Sequence, residues 1–335
     1  MKIYDNSGYV NIRGILEQGY PFNFIVGGRG TGKTYTSLLT AYQDQTIFML
    51  MRRTQTQCDL ISKPEFSVFK PINQDQKLDI QVERISKYNS RFYEGERTIG
   101  YTCALSTLAN MRGFDASDIT LIIFDEFIPE KHERLLRAEG DALWNAYETI
   151  NRNRELKGCQ PVQLLCLANS NDITNPVFES LNLIRISDRM QRSHQERYTD
   201  DKRGIQIIML NRSPISKQKG DTALYSLTAG TDFSAMALNN DFRIDRSRIR
   251  PRPLAEYIPL CRIGELCIYS HKSENRLYCT THCAGTFQKQ FTTSETERQR
   301  YQRTYRSHWS MFISGKIDFD DVLSETLFVR YWDSY

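Results

Sequence analysis

The sequence predicts an α/β fold with a parallel-rich central sheet, followed by a second, smaller domain. Apolar, strand-like runs alternate along the chain with stretches of helical periodicity, an order typical of α/β proteins. Several of these runs are apolar throughout, which is typical of strands buried on both faces of a parallel sheet. A polar segment then separates them from a series of shorter strand and helix signals.

The first domain is expected to span residues 1–210 and the second 226–335. In the first, strands are expected at 22–26, 47–51, 100–105, 119–124, 162–168 and 204–210, and helices at 33–44 and 133–150. Residues 211–225 are polar and lack a periodic apolar face, so we assign them to a linker. In the second, strands are expected at 233–238, 254–260, 265–270 and 276–281, and helices at 295–313 and 318–332.

The composition is typical of a folded, globular protein. Of the 335 residues, 40% are hydrophobic and 25% charged, and the mean hydropathy is -0.53, values that argue against disorder and against a membrane-spanning protein. The first ten residues lack the apolar run of a secretory signal, so we expect the protein in the cytoplasm. A net charge of +4 favours no particular partner, and local charge has to indicate one.

A phosphate-binding pattern, G-x-x-x-x-G-K-[ST], follows the first apolar strand and opens a helix. Its members are Gly27, Gly28, Arg29, Gly30, Thr31, Gly32, Lys33 and Thr34. Glycines let main-chain N–H groups surround a phosphate, and the amino end of the helix adds its dipole. In such a loop Lys33 would reach the β- and γ-phosphates of ATP, and Thr34 would hold Mg²⁺. A glycine-rich turn without a ligand is the alternative.

Two adjacent acids, Asp125 and Glu126, end a second apolar strand. Asp125 fits the Walker B residue that holds Mg²⁺, and Glu126 would polarise a water for attack on the γ-phosphate. The sequence has no N-K-x-D motif, which disfavours a GTPase. These features predict a water-activating P-loop ATPase domain of the additional-strand (ASCE, RecA/FtsK-like) type.

Further polar side chains suit that class. Asn169 follows the strand at 162–168 and would sense the γ-phosphate, although a turn or helix-capping role fits it equally well. Arg152 and Arg154 lie at the end of the helix expected at 133–150, where either would act on a neighbouring subunit's nucleotide. A cation that complements the helix dipole is the other interpretation.

With these pieces in place, the chain resembles the DNA-packaging (encapsidation) ATPases of small short-tailed bacteriophages, relatives of the terminase large subunit. The resembling segments are Asn23–Thr34, Arg52–Arg53, Ile123–Ile128, Arg152–Glu155, Cys166–Ser170 and Asn175–Pro176, with a weaker match from Gly230 to Phe242. The specificity of the resemblance rests on the combination of Arg29 within the loop, the D-E-F-I run and the R-N-R-E string.

The resemblance implies a homo-oligomeric ring of ATP hydrolases on the portal (connector) protein of an empty procapsid, driving double-stranded DNA inward. It implies work in the host bacterial cytoplasm, transiently on the procapsid, with no membrane involved. By the same carry-over Arg152 is preferred to Arg154 as the trans-acting finger. The second domain is expected to have an RNase H-like, nuclease-derived fold that docks on DNA, on a structural packaging RNA or on the portal.

Nuclease activity is not expected of this second domain. Larger terminases cut DNA there with clustered acids, and Asp232 lies where the first acid would be. Asp318, Asp320 and Asp321 are further candidates, but they stand at an expected helix start, where acids are favourable for dipole reasons. We therefore expect a vestigial nuclease fold.

Arginine and cysteine clusters in the second domain each allow two interpretations. Arg246, Arg248, Arg250 and Arg252 are spaced two apart, so an extended chain would present four guanidinium groups to DNA phosphates; a charge-protected edge strand is the alternative. The eight cysteines are expected to be reduced thiols. A zinc site among Cys261, Cys267, His271, Cys279, His282 and Cys283 would lack the usual C-x₂-C spacing, so buried hairpin positions are favoured.

The sequence thus predicts a Mg²⁺-dependent ATP hydrolase that translocates double-stranded viral DNA into a preformed procapsid. Another ring-forming, DNA-dependent ATPase, such as a helicase or a recombinase-like protein, is the first alternative. A nucleotide-gated nucleic-acid adaptor with little turnover is the second, and Glu126 is the feature that weighs against it.

Overall fold

The computed structural model describes residues 1–111, 115–130, 133, 136, 138–169, 173–211, 213–231, 234, 238 and 246–332. By its internal contacts the chain divides into two compact units. The first unit consists of Met1–Leu181 and Arg189–Arg243, and the second of Asn182–Asp188 and Ile244–Tyr335. A helix long and apolar enough to cross a membrane is not found in the part of the chain that is described.

The first unit is built around a sheet that has nine strands within the described residues. They are β1 (Phe22–Gly27), β2 (Phe48–Arg52), β3 (Gln81–Arg84), β4 (Ser90–Glu94), β5 (Arg97–Ala104), β6 (Leu121–Asp125), β7 (Gln163–Ala168), β8 (Arg197–Asp200) and β9 (Ile205–Leu210). The helices are α1 (Ile12–Leu16), α2 (Lys33–Gln43), α3 (Gln55–Ile61), α4 (Lys70–Gln76), α5 (Glu139–Asn151), α6 (Pro176–Ser180), α7 (Ile184–Arg192, which begins in the second unit), α8 (Pro214–Gly220) and α9 (Ala223–Leu227).

The sheet has a parallel centre and antiparallel edges. Its order is β3-β4-β5-β2-β6-β7-β1-β9-β8, in which the run from β5 to β9 is parallel and β3, β4 and β8 are antiparallel. Every residue of β2 and β6 is buried, which explains why their apolar runs do not alternate. Strand β7 is inserted between β1 and β6, the arrangement expected of the additional-strand class. The predicted α/β class and parallel-rich central sheet are confirmed.

The strand register brings four loops to one edge of the sheet. Val26 of β1 pairs with Ala168 of β7, and Leu167 of β7 pairs with Asp125 of β6. On the other side of β6, Met51 of β2 pairs with Phe124. Because the carboxyl ends of these parallel strands are level, the residues that follow them are close in space, where α/β proteins bind ligands.

The second unit has a smaller mixed sheet, ordered β13-β10-β11-β12-β14 within the described residues. Its elements are β10 (Tyr257–Ile263), β11 (Leu266–His271), β12 (Leu277–Thr280), β13 (Gln290–Phe291), α10 (Glu295–Thr304), α11 (Arg306–Ile313), β14 (Ile317–Phe319) and α12 (Val322–Trp332). Tyr301, Phe312 and Phe328 of the three helices are buried in one core with Phe319 of β14. This unit is a small mixed α/β domain. The RNase H-like, nuclease-derived fold expected of it stays a prediction.

The segment expected to be a linker is helical and belongs to the first unit. Residues 211–225 contain α8 and the start of α9, and the first unit continues to Arg243. Ser213 and Ser216 are buried, and the Ser213 hydroxyl donates to the Gly8 carbonyl oxygen (3.3 Å). The segment is thus held by a buried polar side chain, and the absence of an apolar pattern does not make it a linker. The strand expected at 233–238 lies mostly outside the described residues.

Other local predictions also differ from the structure. The helix expected at 295–313 is interrupted at Tyr305, and the one expected at 318–332 begins only after β14. Cys267 and Cys283 form a disulfide, which corrects the expectation of reduced thiols. Strand β11 and the loop after β12 bring their Cα atoms to 5.6 Å, within disulfide range. In the described part of the chain, no group of three His, Cys, Asp or Glu side chains could hold a metal ion.

Candidate nucleotide-binding site

The turn between β1 and α2 has the backbone of a phosphate-binding loop. Gly30 and Gly32 have φ angles of +68° and +86°, which L side chains rarely adopt. Gly32 caps α2, whose first N–H groups have no carbonyl partner within the helix. At Gly27 a Cβ atom would lie 2.5 Å from Leu210 of β9, so the strand contact also requires glycine. The loop can therefore offer main-chain donors to an anion.

Lys33 begins α2 and is folded onto the loop. It is only 7% exposed, and its Nζ donates to the carbonyl oxygens of Gly27 (2.9 Å) and Gly28 (2.8 Å). The same Nζ lies 3.3 Å from Oδ1 of Asn169, which follows β7. The structure therefore brings Asn169 to the loop, as the sequence predicts.

Within the described residues, the hydrogen-bond partners of the Lys33 ammonium are neutral oxygen atoms. Burial lowers the pKa of Lys33 to about 7. The negative charge of Asp125 opposes this shift, whereas the positive charges of Lys219 and Arg29 reinforce it. A phosphate in the loop would supply a negative charge at hydrogen-bond distance.

The acids at the end of β6 meet the first turn of α2. The Thr34 hydroxyl donates to Oδ2 of Asp125 at 2.8 Å, so residues predicted from two separate motifs are in contact. Asp125 is 4% exposed, whereas the side chain of Glu126 is half-exposed. Glu126 has a φ of +60°, a conformation that non-glycine residues adopt rarely and often at functional sites. Oxygen donors of this kind suit Mg²⁺, which takes one or two protein ligands beside phosphate and water.

Arg52, to which sequence analysis gives no role, holds both acids. It ends β2, the strand beside β6, and its guanidinium contacts Oδ2 of Asp125 (2.9 Å) and Oε2 of Glu126 (2.6 Å). An arginine directly after an apolar strand is the signal that could have identified it. That signal becomes specific only once the strand order is known, because β2 and β6 are far apart in the sequence.

The neighbouring Arg53 is fully buried and links β2 to α5. Its Nε and one terminal nitrogen donate to the two carboxylate oxygens of Glu139 (2.6 and 3.0 Å), the first residue of α5. The other terminal nitrogen donates to Glu133 (3.0 Å). Glu139 is 1% exposed, so this is a buried, bidentate ion pair.

Two more cations contact the outer side of the loop. Arg29 is exposed and forms an ion pair with Glu130. The ammonium of Lys219, on α8, donates to the main-chain carbonyl oxygen of Arg29. Lys219 lies in the segment 211–225, expected to be a linker, and no sequence motif includes it.

Arg152 and Arg154 are not brought to the loop of their own chain. Arg152 caps the carboxyl end of α5 with a φ of +47°, and its side chain contacts Asp115 (3.5 Å). Arg154 donates to the carbonyl oxygen of Ser117. Asp115 and Ser117 precede β6, whereas Asp125 ends it, so both arginines lie towards the opposite edge of the sheet.

The acids considered as nuclease ligands have other partners within the second unit. Asp318 is on β14 rather than at a helix start and pairs with Arg252 (2.9 Å) and Arg276 (2.8 Å). Tyr278 and Thr280 donate to Asp320, and Asp321 accepts from Ser324 in the first turn of α12. Asp232 lies outside the described residues.

The arginines at 246–252 do not form the expected extended row. The chain turns there, with the N–H of Ile249 donating to the Arg246 carbonyl oxygen (3.0 Å). Arg246 pairs with Asp188 (2.7 Å), Arg248 with Glu325 (3.5 Å) and Arg252 with Asp318. Arg250 is exposed and donates to the Ser247 carbonyl oxygen. The prediction of a one-sided basic row is wrong because alternation requires a strand, and a turn is found.

Comparison with known proteins identifies a family that the chain matches. Residues 4–250 match a family model described as podovirus DNA encapsidation protein (Gp16). The DNA packaging protein of Bacillus phage phi29 is 26% identical over 245 residues, which cover 71% of this chain and 67% of the relative.

Two solved structures are similar to the chain. The N-terminal domain of the phi29 DNA packaging ATPase is 25% identical with a TM-score of 0.50, covering 62% of this chain and 97% of that domain. A chain of the phi29 genome packaging motor assembly is 19% identical with a TM-score of 0.69, covering 97% of this chain and 98% of the other. The second likeness, at that identity, is one of fold.

Proposed function

The chain belongs to the family of podovirus DNA encapsidation proteins (Gp16), and from that premise we propose that it hydrolyses ATP to drive the DNA packaging that defines the family. One observation carries the proposal. Lys33 and Thr34, Asp125, and Asn169 come from three separate points of the sequence and meet at the carboxyl edge of the parallel sheet. This constellation suits a nucleoside triphosphate whose terminal phosphate is attacked by water.

The loop at 27–34 would bind the phosphates of ATP. Its main-chain N–H groups and the amino end of α2 would hold the β-phosphate, and Lys33 would exchange the carbonyl oxygens of Gly27 and Gly28 for phosphate oxygens. Protonated Lys33 would then have a negatively charged partner at hydrogen-bond distance, in addition to the more remote charges of Asp125 and Glu126. Asn169, 3.3 Å from Nζ of Lys33, would contact the terminal phosphate.

Thr34 and Asp125 would hold Mg²⁺. Both are hard oxygen donors and are already adjacent, which fits an ion that relies mainly on phosphate and water for its remaining ligands. When bound, the ion neutralises charge that develops on the phosphate oxygens. Arg52 contacts Asp125 in this structure, so its guanidinium has to move away from that oxygen.

Glu126 would take the proton of the attacking water. As the water oxygen forms its bond to the γ-phosphorus, the bond to the β–γ bridging oxygen breaks, giving ADP and phosphate, and Glu126 accepts the proton. Arg52 holds the Glu126 carboxylate at 2.6 Å, and this ion pair has to open before the carboxylate can act. The strained backbone at Glu126 is in keeping with such a change of position.

We propose that the subunit works in a homo-oligomeric ring on the portal of a procapsid, in the host cytoplasm, and translocates double-stranded DNA. Arg152 and Arg154 support a ring because their contacts place them away from the loop of their own chain. There they could reach a neighbour's nucleotide, and Arg152 is the preferred trans-acting finger. A structural packaging RNA is a further partner that the same assembly would accommodate.

The test is ATP turnover against protein concentration, with and without double-stranded DNA. We expect Glu126→Gln to lower turnover by about 10²-fold or more, the usual contribution of a general base. We expect Arg152→Ala to lower it by about 10³-fold, the usual contribution of an arginine finger. An equal mixture of the two variants should regain part of the turnover, because some neighbours then form one intact site.

Arg84→Ala is the matched control, since Arg84 is also exposed and ion-paired within the same unit. It should leave turnover unchanged. Turnover that is independent of concentration and DNA, or that survives in Glu126→Gln, would contradict the motor and favour a nucleotide-gated adaptor. A mixture as silent as its components would contradict a shared site.

A further inference from the structure

Lys219 reaches the phosphate loop from a segment that carries no nucleotide-binding motif. It lies near the end of α8, and its Nζ donates to the carbonyl oxygen of Arg29, in the middle of the loop. The next residue, Gly30, makes room for it: a Cβ atom there would meet Nζ of Lys219 and would lie 2.8 Å from its Cε. Gly30 therefore serves both the left-handed turn of the loop and the approach of this lysine.

The charge of Lys219 acts on the interior of the site. Among the positive charges that lower the pKa of Lys33, that of Lys219 has the largest effect. Lys219 is itself half-buried, and this burial lowers its own pKa. Lys33, Lys219 and Arg29 thus concentrate positive charge around one loop, and within the described residues the ion-pair partner seen for Arg29 is Glu130. Asp125 and Glu126 offset part of this charge. An anion in the loop would balance more of it.

Lys33 and Lys219 both donate hydrogen bonds to main-chain carbonyl oxygens of the loop. The ammonium of Lys33 donates to the carbonyl oxygens of Gly27 and Gly28, as that of Lys219 does to Arg29. A neutral carbonyl oxygen is a weaker acceptor for an ammonium than a phosphate oxygen, because only the phosphate adds an attraction between opposite charges. Both lysines are therefore expected to change partner when a phosphate arrives.

We propose that Lys219 is a second phosphate-binding lysine of the nucleotide site. When a nucleotide binds, the ammonium group of Lys219 moves from the Arg29 carbonyl oxygen to the terminal phosphates. The proposal rests on the proposed function, since it assumes that the loop binds a nucleoside triphosphate. Through Lys219 the bound nucleotide would contact α8, so that occupancy of the loop restrains Pro214–Gly220. The restraint on this segment, which follows the nucleotide-binding motifs in the sequence, thereby depends on whether ATP is bound.

The first measurement is the affinity of the full chain for a non-hydrolysable ATP analogue and for ADP, both with Mg²⁺. We expect Lys219→Gln to weaken analogue binding about 10-fold or more, the value of a charge-assisted hydrogen bond, and ADP binding less. Lys219→Arg should retain most of the affinity. Lys202→Gln, which removes an exposed lysine from the turn between β8 and β9, should bind like the wild type.

The second measurement is amide hydrogen exchange in Pro214–Gly220. The analogue should slow exchange there in the wild type and in Lys202→Gln but not in Lys219→Gln, an effect that loss of folding stability alone would not produce. If the wild type binds neither nucleotide, the proposed function fails. If the wild type binds and Lys219→Gln binds equally well or more tightly, only the present proposal is overturned, and a tighter variant would mean that Lys219 blocks the empty loop.

Discussion

Lys33 is the residue whose chemistry is most altered by its surroundings. Its ammonium is buried against main-chain carbonyl oxygens, and this burial brings its pKa from an ordinary value of 10.5 to about 7. Only the protonated form can pair with phosphate. In the nucleotide-free protein the protonated fraction is therefore high below pH 7 and falls as the pH rises, and a bound phosphate raises the pKa again.

We predict that nucleotide binding weakens as the pH rises above about 7, because an increasing share of Lys33 must first take up a proton. Calorimetric titrations between about pH 6 and 9, in buffers of different ionisation enthalpy, would measure both the affinity and the protons taken up. Lys33→Arg is the control, since arginine keeps its charge throughout this range. Equal pH profiles for the two proteins would rule out Lys33 as the titrating group.

At the scale of elements, the buried Arg53–Glu139 pair joins the end of β2 to the start of α5. The same stretch of chain presents Arg52 to the acids after β6, and α5 ends at the residue before Arg152. One helix thus spans the distance between the nucleotide edge of the sheet and the candidate trans-acting arginine. Removing one partner of a buried ion pair destabilises a protein far more than removing one partner of an exposed pair, because the remaining charge stays buried.

We predict that Arg53→Met destabilises the protein by about 3–5 kcal/mol, because Glu139 would be left as a buried charge without its partner. Arg84→Met, which breaks the exposed pair with Asp59, should cost less than about 1 kcal/mol. Urea unfolding would compare the two, and the double variant Arg53→Met/Glu139→Gln should recover part of the loss. Similar costs for both single variants would show that the buried pair has no special weight.

Elements with a strong local signal could be predicted from the sequence, and those without one could not. Strands β1, β2, β6 and β7 are buried apolar runs, and the helix that ends at Asn151 has a periodic apolar face. Strands β3 and β4 were missed because they are short and partly exposed, so their side chains carry no such run. Helix α8 carries no apolar run, and the contact that anchors its amino end is made by the hydroxyl of Ser213.

The residues of the candidate site also divide into those with a local sequence signal and those without one. Lys33, Thr34, Asp125 and Asn169 each lie at the start or the end of a strand or helix that the sequence predicts, and the structure brings them together. Arg52 and Lys219 contact the same site through pairings that are distant in sequence, which only the strand order and the path of α8 reveal.

At the scale of the whole molecule, positive and negative charges are nearly balanced in number, and many arginines pair with carboxylates. The net charge is only +4, and in the second unit Arg246, Arg248, Arg252 and Arg276 all pair with acids. Arg250 is exposed, and the contact seen for it among the described residues is to a main-chain carbonyl oxygen. A lone subunit should therefore bind DNA weakly and without a strong dependence on these arginines.

We predict that Arg250→Ala lowers the salt dependence of DNA binding by at most about 0.9 on a log–log plot, the value of one phosphate contact. Arg246→Ala should leave that slope unchanged, because the Arg246 charge is already balanced by Asp188. Fluorescence anisotropy with a DNA duplex over a series of salt concentrations would measure both. A slope that falls equally for the two variants would restore the basic row as a DNA-binding surface.

The contact of Arg52 with Asp125 and Glu126 also bears on the order in which ligands arrive. A free divalent ion would have to displace a guanidinium that is already in place, and would gain few ligands in return. An ion that travels with the nucleotide brings its phosphate ligands along, and the same phosphates offer Arg52 a new partner. The protein would then bind free Mg²⁺ poorly and would bind the metal–nucleotide complex as a single ligand.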